Sequence, residues 1–292
     1  MTITSRQNPL VARFRDAARG DAAGVMLLDG AHLVADAIGA GIGIQLAAVT
    51  PASRETDDLR DLLAALSRAA VEVATVSAPV MDAISPVRSS SAIVALAERP
   101  AGATERLYAG RTPLVVIAVD VQDPGNVGAI ARVAEAAGAT GLVAAAGSAN
   151  PFGWKALRGS MGSALRLPIA SGLSADAAID DALRRGCRVV ATVPREGRSV
   201  FDADLSGSIA VLIGGEGQGL SRELTDAADE RVTIPMQAPV ESLNAAVTAA
   251  LILYEARRQR VGRPEGLRYD QGGRDQKGSD QGGRDQKGSA AL

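Results

Sequence analysis

Three short stretches hold residues whose types and spacing suit chemistry on a small ligand. The first, Ile213-Gly214-Gly215-Glu216-Gly217-Gln218-Gly219-Leu220, sets four glycines within six residues around one carboxylate. Glycine lets backbone approach a ligand where a Cβ would clash, and it supplies positive φ at low cost. This turn therefore predicts a small molecule held largely by main chain. The second stretch, Asn126-Val127-Gly128-Ala129-Ile130-Ala131-Arg132, puts an amide where it can cap a predicted helix and an arginine one turn beyond Gly128. The third, Glu241-Ser242-Leu243-Asn244, opens the last long helix.

Several chemistries are excluded by what accompanies these stretches. The spacing Gly215-x-Gly217-x-Gly219 is one residue short of the dinucleotide fingerprint and lies late in its domain, which disfavours a nucleotide-dependent oxidoreductase. No Gly-Lys-Ser/Thr follows, so a P-loop is excluded. The single cysteine, Cys187, cannot form an internal disulfide and reads as a small buried hydrophobe. The single histidine, His32, leaves no zinc cluster and no base for a Ser/His/Asp hydrolase, and no metal is expected. The N-terminus shows no secretory signal, and the most apolar run, 245–254, is too short to span a bilayer. A cytoplasmic protein without a membrane partner is the expectation. Formal charge is −3 over residues 1–105, 0 over 106–262 and +1 over 263–292, so a strongly basic nucleic-acid footprint is absent. Yet 28 of the 31 basic residues are arginine, which suits phosphate recognition. Seven aromatic residues are too few for a base-stacking platform.

The elements that must position the three stretches alternate. Helices are predicted over 8–18, 31–40, 57–70 and 78–84, and strands over 25–29, 44–49, 71–76 and 91–97. This makes residues 1–105 a small α/β domain, with 100–113 as its linker. Residues 106–262 begin with the β-branched run Leu114 to Val119, typical of a buried parallel strand. Helices over 127–137, 152–162, 174–185, 221–228 and 242–258 alternate with strands over 141–146, 188–193, 208–213 and 231–234. A mostly parallel sheet covered on both faces follows. Residues 263–292 contain a ten-residue unit, Asp270 to Ser279, repeated unchanged from Asp280 to Ser289. With no apolar residue in the unit, a disordered tail is expected.

Together the three stretches resemble the SpoU/TrmH family of SPOUT-class RNA ribose methyltransferases. The matches are Asp123-Pro124-Gly125-Asn126-Val127-Gly128-Ala129-Ile130-x-Arg132, then Gly214-x-Glu216-Gly217-x-Gly219-Leu220, then Ile234-Pro235-Met236 followed by Ser242-Leu243-Asn244. They stand in family order and spacing over roughly residues 112–260, and Leu28-Asp29-Gly30-Ala31-His32-Leu33 resembles the family's substrate-binding domain. The resemblance implies a C-terminal α/β domain threaded into a trefoil knot, a homodimer, and S-adenosylmethionine as methyl donor. Carried over by matching position, donor contacts fall on Gly214, Ile234 and Leu243, with Gly215, Met236 and Ser242 adjoining and the Val193-Pro194 loop as a further candidate. The implied activity is methylation of a ribose 2′-hydroxyl of structured RNA, with ribosomal RNA placed ahead of tRNA because of the extra N-terminal domain. A catalytically silent ribosome-assembly protein of the same fold is the alternative from another class.

The residues implied in catalysis are Asn126, Arg132, Glu216, Ser242 and Asn244. Arg132 is expected to fix a phosphate or take the hydroxyl proton; a guanidinium holds its proton so firmly that it suits the first role better. Glu216 is expected to orient Arg132 or to accept the proton itself. Ser242 and Asn244 are expected to direct hydrogen bonds at the ribose. The stretch Asn150 to Gly162 matches the family's region beside the active site, and Lys155, Arg158 and Arg166 are the candidates for RNA phosphate contact.

Overall fold

A computed structural model describes residues 2–89, 91–102 and 104–261 of the chain. Its N-terminal part builds strands β1 (Thr2–Ile3), β2 (Val25–Asp29), β3 (Ile44–Val49), β4 (Val73–Val76) and β5 (Ile93–Glu98). Helices α1 (Pro9–Arg19), α2 (Ala31–Gly39), α3 (Pro51–Arg54), α4 (Asp57–Arg68) and α5 (Ala78–Ile84) are interleaved with them. The strands form one mixed sheet in the order β1-β4-β3-β5-β2, parallel among β1, β4 and β3, with β5 antiparallel to both β3 and β2.

The second sheet contains β6 (Leu114–Val119), β7 (Gly141–Ala144), β8 (Ile169–Ser171), β9 (Arg188–Thr192), β10 (Arg198–Ser199), β11 (Ile209–Gly214) and β12 (Glu230–Thr233). Its order is β10-β12-β9-β11-β6-β7-β8, and every pairing is parallel. Its helices are α6 (Pro124–Ala137), α7 (Trp154–Ser160), α8 (Ser163–Arg166), α9 (Ala175–Arg184), α10 (Arg222–Ala227) and α11 (Ala245–Val261). A parallel sheet needs cover on both faces, and the alternation within β6 shows how it is met. Leu114, Val116 and Ala118 pack with Val127, Ile130 and Ala134 of α6 and with Ala249, Ile252 and Leu253 of α11. Val115, Ile117 and Val119 pack on the other face with Ala178, Ile179 and Ala182 of α9. The first of these cores continues through Met26, Leu28, Leu33 and Val34 under the N-terminal sheet. The described residues accordingly belong to one compact unit.

The α/β class and the mostly parallel sheet expected from the sequence are observed. The differences are local. The segment expected as a linker contains a short 3-10 helix, Thr104–Tyr108, whose Leu107 and Tyr108 are buried in the core under β6 and β7. Helix α7 stops at Ser160 because Met161 (φ 50°) and Gly162 (φ 84°) are both left-handed, and the turn restarts as α8. The two-residue strands β1 and β10 and the three-residue β8 are too short to leave a periodic signal. The expected repeat-bearing tail lies outside the described residues.

Candidate functional site

The strands β9, β11 and β12 end side by side, and the turns that leave them enclose a cavity of about 380 Å³. In open α/β sheets ligands bind outside the carboxyl ends of the strands. Val193 and Pro194 follow β9, Gly214 and Gly215 close β11, and Ile234 and Met236 follow β12; all six line the cavity. Ser242, Leu243 and Asn244, which lead into α11, complete the wall, so the eight residues expected at the donor surround one space.

The glycines of the turn are needed for two different reasons. A Cβ on Gly214 would lie 2.7 Å from the backbone of Gly219 and Leu220, where the turn folds back on itself, and one on Gly215 would overlap the carbonyl of Asp120 at 1.7 Å. Gly217 and Gly219 instead have φ of 103° and 66°, which L side chains rarely adopt. Main chain consequently forms much of this wall. Val193, Leu220, Ile234, Met236, Leu243 and Ile252 are among the apolar side chains of the lining, and among the described residues Glu216 is its one ionisable side chain.

Asn126 behaves differently from the capping expectation. Asp123, not Asn126, caps α6: its Oδ1 accepts from Gly125 N at 2.6 Å and Asn126 N at 3.2 Å, with Pro124 at the first helical position. That leaves the Asn126 side chain free, and its Nδ2 donates to Glu216 Oε1. Asn244 caps α11 through Oδ1, accepting from Ala246 N at 2.9 Å and Val247 N at 3.3 Å, and its Nδ2 donates to Asn126 Oδ1 at 3.0 Å. The final helix therefore starts at Ala245 rather than Ser242. Ser242 lines the cavity and has no hydrogen-bond partner among the described residues.

Arg132 stands apart. It is exposed on α6, about 9 Å along the axis from Asn126 at 1.5 Å per residue. Among the described residues its side chain makes no ion pair or hydrogen bond, with Glu216 or any other group, and it does not line the cavity. Lys155 and Arg158 are likewise exposed on α7 without an ion pair among the described residues, Lys155 Nζ lying 5.5 Å from the Trp154 ring centroid. Helix α7 sits tightly on α6, since a Cβ on Gly128 would come 2.3 Å from the Ala156 carbonyl.

Arg166 is engaged elsewhere. Its guanidinium makes a two-pronged pair with Glu135 at 2.8 and 2.9 Å and lies 3.2 Å from Asp36. The hydrogen bond from Arg166 holds the Glu135 carboxyl below its ordinary range. Its contacts join α2, α6 and α8, and both carboxylates would compete with an RNA phosphate for this arginine. Residues lining the cavity that sequence reasoning passed over include Thr192, Thr248 and Ile252. Thr248 was findable as the position one helical turn beyond Asn244. Among the described residues no cluster of His, Cys, Asp and Glu suits a metal ion, and no helix is long and apolar enough to cross a membrane.

Known proteins resemble this chain over most of its length. Residues 113–254 match the SpoU rRNA Methylase family, and residues 1–108 match the thiostrepton-resistance methylase N terminus. An uncharacterised tRNA/rRNA methyltransferase of Synechocystis is 33% identical over 265 residues, covering 88% of this chain and 94% of its own. The 23S rRNA (guanosine(2553)-2'-O)-methyltransferase RlmP of Bacillus subtilis is 29% identical over 231 residues, 79% of this chain and 88% of its own. Among solved structures, the SpoU methyltransferase AviRb from Streptomyces viridochromogenes, in complex with AdoMet, is 29% identical with a TM-score of 0.78, covering 87% of this chain and 99% of that one. The cavity described above fits such a cofactor in kind, with apolar side chains for a purine, bare main chain for its polar edges and a single carboxylate. With family matches over both parts of the chain and a full-length relative at 33% identity, this protein belongs to the SpoU/TrmH family of S-adenosylmethionine-dependent RNA 2′-O-ribose methyltransferases.

Proposed function

We propose that this enzyme methylates a ribose 2′-oxygen in structured ribosomal RNA, with the donor held by Val193, Pro194, Gly214, Gly215, Ile234, Met236, Ser242 and Leu243. The observation that carries the reading is the single cavity onto which these residues converge with Glu216 and Asn244. The likeness of residues 1–108 to the thiostrepton-resistance methylase N terminus supports residues 1–105 as the RNA-substrate domain, with 106–262 as the catalytic domain. RlmP, which by name acts on 23S rRNA, supports ribosomal RNA over tRNA. Lys155, Arg158 and Arg132 are unpaired among the described residues, and this supports them as phosphate contacts. Under this reading Arg132 positions RNA rather than taking a proton.

The reading includes a cytoplasmic homodimer with a trefoil-threaded catalytic domain. The threading is supported by the close packing of the Gly215 turn on Asp120 and by three strand-end turns meeting the head of α11. The dimer is supported by Val247, Leu251 and Tyr254, spaced i, i+4, i+7 on α11 and 47%, 45% and 52% exposed. Tritium-labelled methyl transfer to separated rRNA and tRNA, followed by nucleoside digestion, tests the assignment. Label in 2′-O-methyl nucleosides of rRNA is expected; label in tRNA alone, or on a base, refutes it.

A further inference from the structure

We infer that Asn244 and Asn126 form a one-way hydrogen-bonded relay that fixes Glu216 as the acceptor of the ribose hydroxyl proton. The inference rests on the methyl-transfer reading of this site and names the group that completes it.

The direction of the relay follows from its two ends. The first backbone N–H groups of α11 can only donate, and the Glu216 carboxylate can only accept. Each asparagine amide has one accepting and one donating end. Asn244 Oδ1 is taken by Ala246 N and Val247 N, so only its Nδ2 can face Asn126, 3.0 Å away. Asn126 must then present Oδ1 to Asn244 and Nδ2 to Glu216. Flipping either amide would set two donors or two acceptors against each other. The three side chains are 90 and 118 residues apart in pairs, so the arrangement is a product of the fold and not of a local turn.

A glutamate between Gly215 and Gly217 is otherwise free to rotate, and holding a catalytic group in place removes an entropic part of the barrier. The relay supplies that restraint through Oε1, while Oε2 has no hydrogen-bond partner among the described residues. Among the described residues no other ionisable side chain lines the cavity. Charged residues on adjoining elements include Asp123, which caps the helix bearing Asn126, and Asp120, whose carbonyl backs Gly215. Arg132, the other candidate for the proton, makes no ion pair or hydrogen bond with this group. Bound S-adenosylmethionine supplies a sulfonium methyl group, so transfer forms an O–C bond, breaks a C–S bond with its electron pair going to sulfur, and releases the hydroxyl proton. Glu216 takes that proton, and the two asparagines are positioning residues.

Asn244→Asp separates capping from relaying, because it keeps an oxygen for α11 and loses the Nδ2 donor. We expect its kcat to fall at least tenfold while the melting temperature, the RNA KM and the calorimetric Kd for S-adenosylmethionine stay within about twofold of wild type, the scale of one misplaced catalytic group. Glu216→Gln should lower kcat by about 10²- to 10⁴-fold with the donor Kd retained. Donor-free protein gives a separate readout by NMR of the side-chain amides. The Asn126 and Asn244 resonances, identified from Asn126→Asp and Asn244→Asp, should titrate with one midpoint, and Glu216→Gln should abolish both responses. An Asn244 amide indifferent to Glu216→Gln overturns the relay, and a Glu216→Gln enzyme with wild-type kcat overturns the proton acceptor. Wild-type protein that fails to bind S-adenosylmethionine would overturn the methyl-transfer reading itself, an outcome the amide titration does not share.

Discussion

Two cavities of nearly equal volume, about 380 Å³ beyond β9, β11 and β12 and about 410 Å³ beside α4, differ in almost everything else. The second is lined by Arg54, Leu63, Ser67 and residues 70–73, all from one short stretch without a glycine. The first gathers turns from four separate parts of the chain. Sheet topology accounts for the contrast. In the seven-stranded sheet every pairing is parallel, so the carboxyl ends of β9, β11 and β12 share one edge and their main-chain groups face a common space. In the five-stranded sheet β5 runs against β2 and β3, so its start lies among the ends of the other four strands. Space alone does not make a site; convergence does.

That contrast can be broken most directly at Gly215. A valine there is driven into the Asp120 carbonyl, and overpacking of this kind costs about 2 kcal/mol or more. Calorimetry should show donor affinity reduced at least about 100-fold, near 2.7 kcal/mol by the relation of affinity to free energy. Wild-type affinity in Gly215→Val would mean that the turn is only scaffolding. Arg132→Ala comes next, with turnover on rRNA lowered about 10- to 100-fold through loss of a charge-assisted phosphate contact and donor Kd unchanged. Steady-state kinetics at saturating donor check it, and an unaltered kcat/KM for RNA removes the arginine from the site.

Arg166→Ala tests the seam instead of the cavity. Loss of its pair with Glu135, both side chains being partly exposed, should lower stability by about 1 kcal/mol in urea denaturation. The Glu135 carboxyl is held below its ordinary value by this hydrogen bond, so the stabilisation is complete above the ordinary value and fades as pH falls through the lowered one. Denaturation midpoints should therefore drop less steeply with acid in Arg166→Ala than in wild type, and equal slopes would remove the pair from the acid response. The smallest effect is expected at the second cavity, where Ser67→Tyr should leave donor Kd unchanged and shift stability by less than about 0.5 kcal/mol. Weakened donor binding in that variant would mean that the two cavities communicate.

Much of this architecture was legible beforehand because it is local. The unbroken apolar run of β6 announced a buried parallel strand, and Gly138 stops α6 with φ 82° as its position after the last apolar turn suggested. The cap of α6 was misread because Asp123 and Asn126 are both good capping residues three positions apart, and Pro124 at the first helical position settles it for Asp123. Leu107 and Tyr108 were assigned to a linker because their neighbours are polar, although Gly141 leaves room for Leu107 to lie against β7.

Sequence by itself determined the order of the longer strands and helices, the glycine-rich turn at 214–219, and the residue types available to bind a donor, since each of these rests on propensity and periodicity within a few turns of chain. Tertiary structure alone decided which polar groups meet. Asn126 reaches Glu216 across 90 residues and Asn244 reaches Asn126 across 118, whereas Arg166, alike in type to Arg132, is drawn to Glu135 and Asp36. Partners so far apart are chosen by how the sheets and helices pack, and local propensity carries no record of that choice.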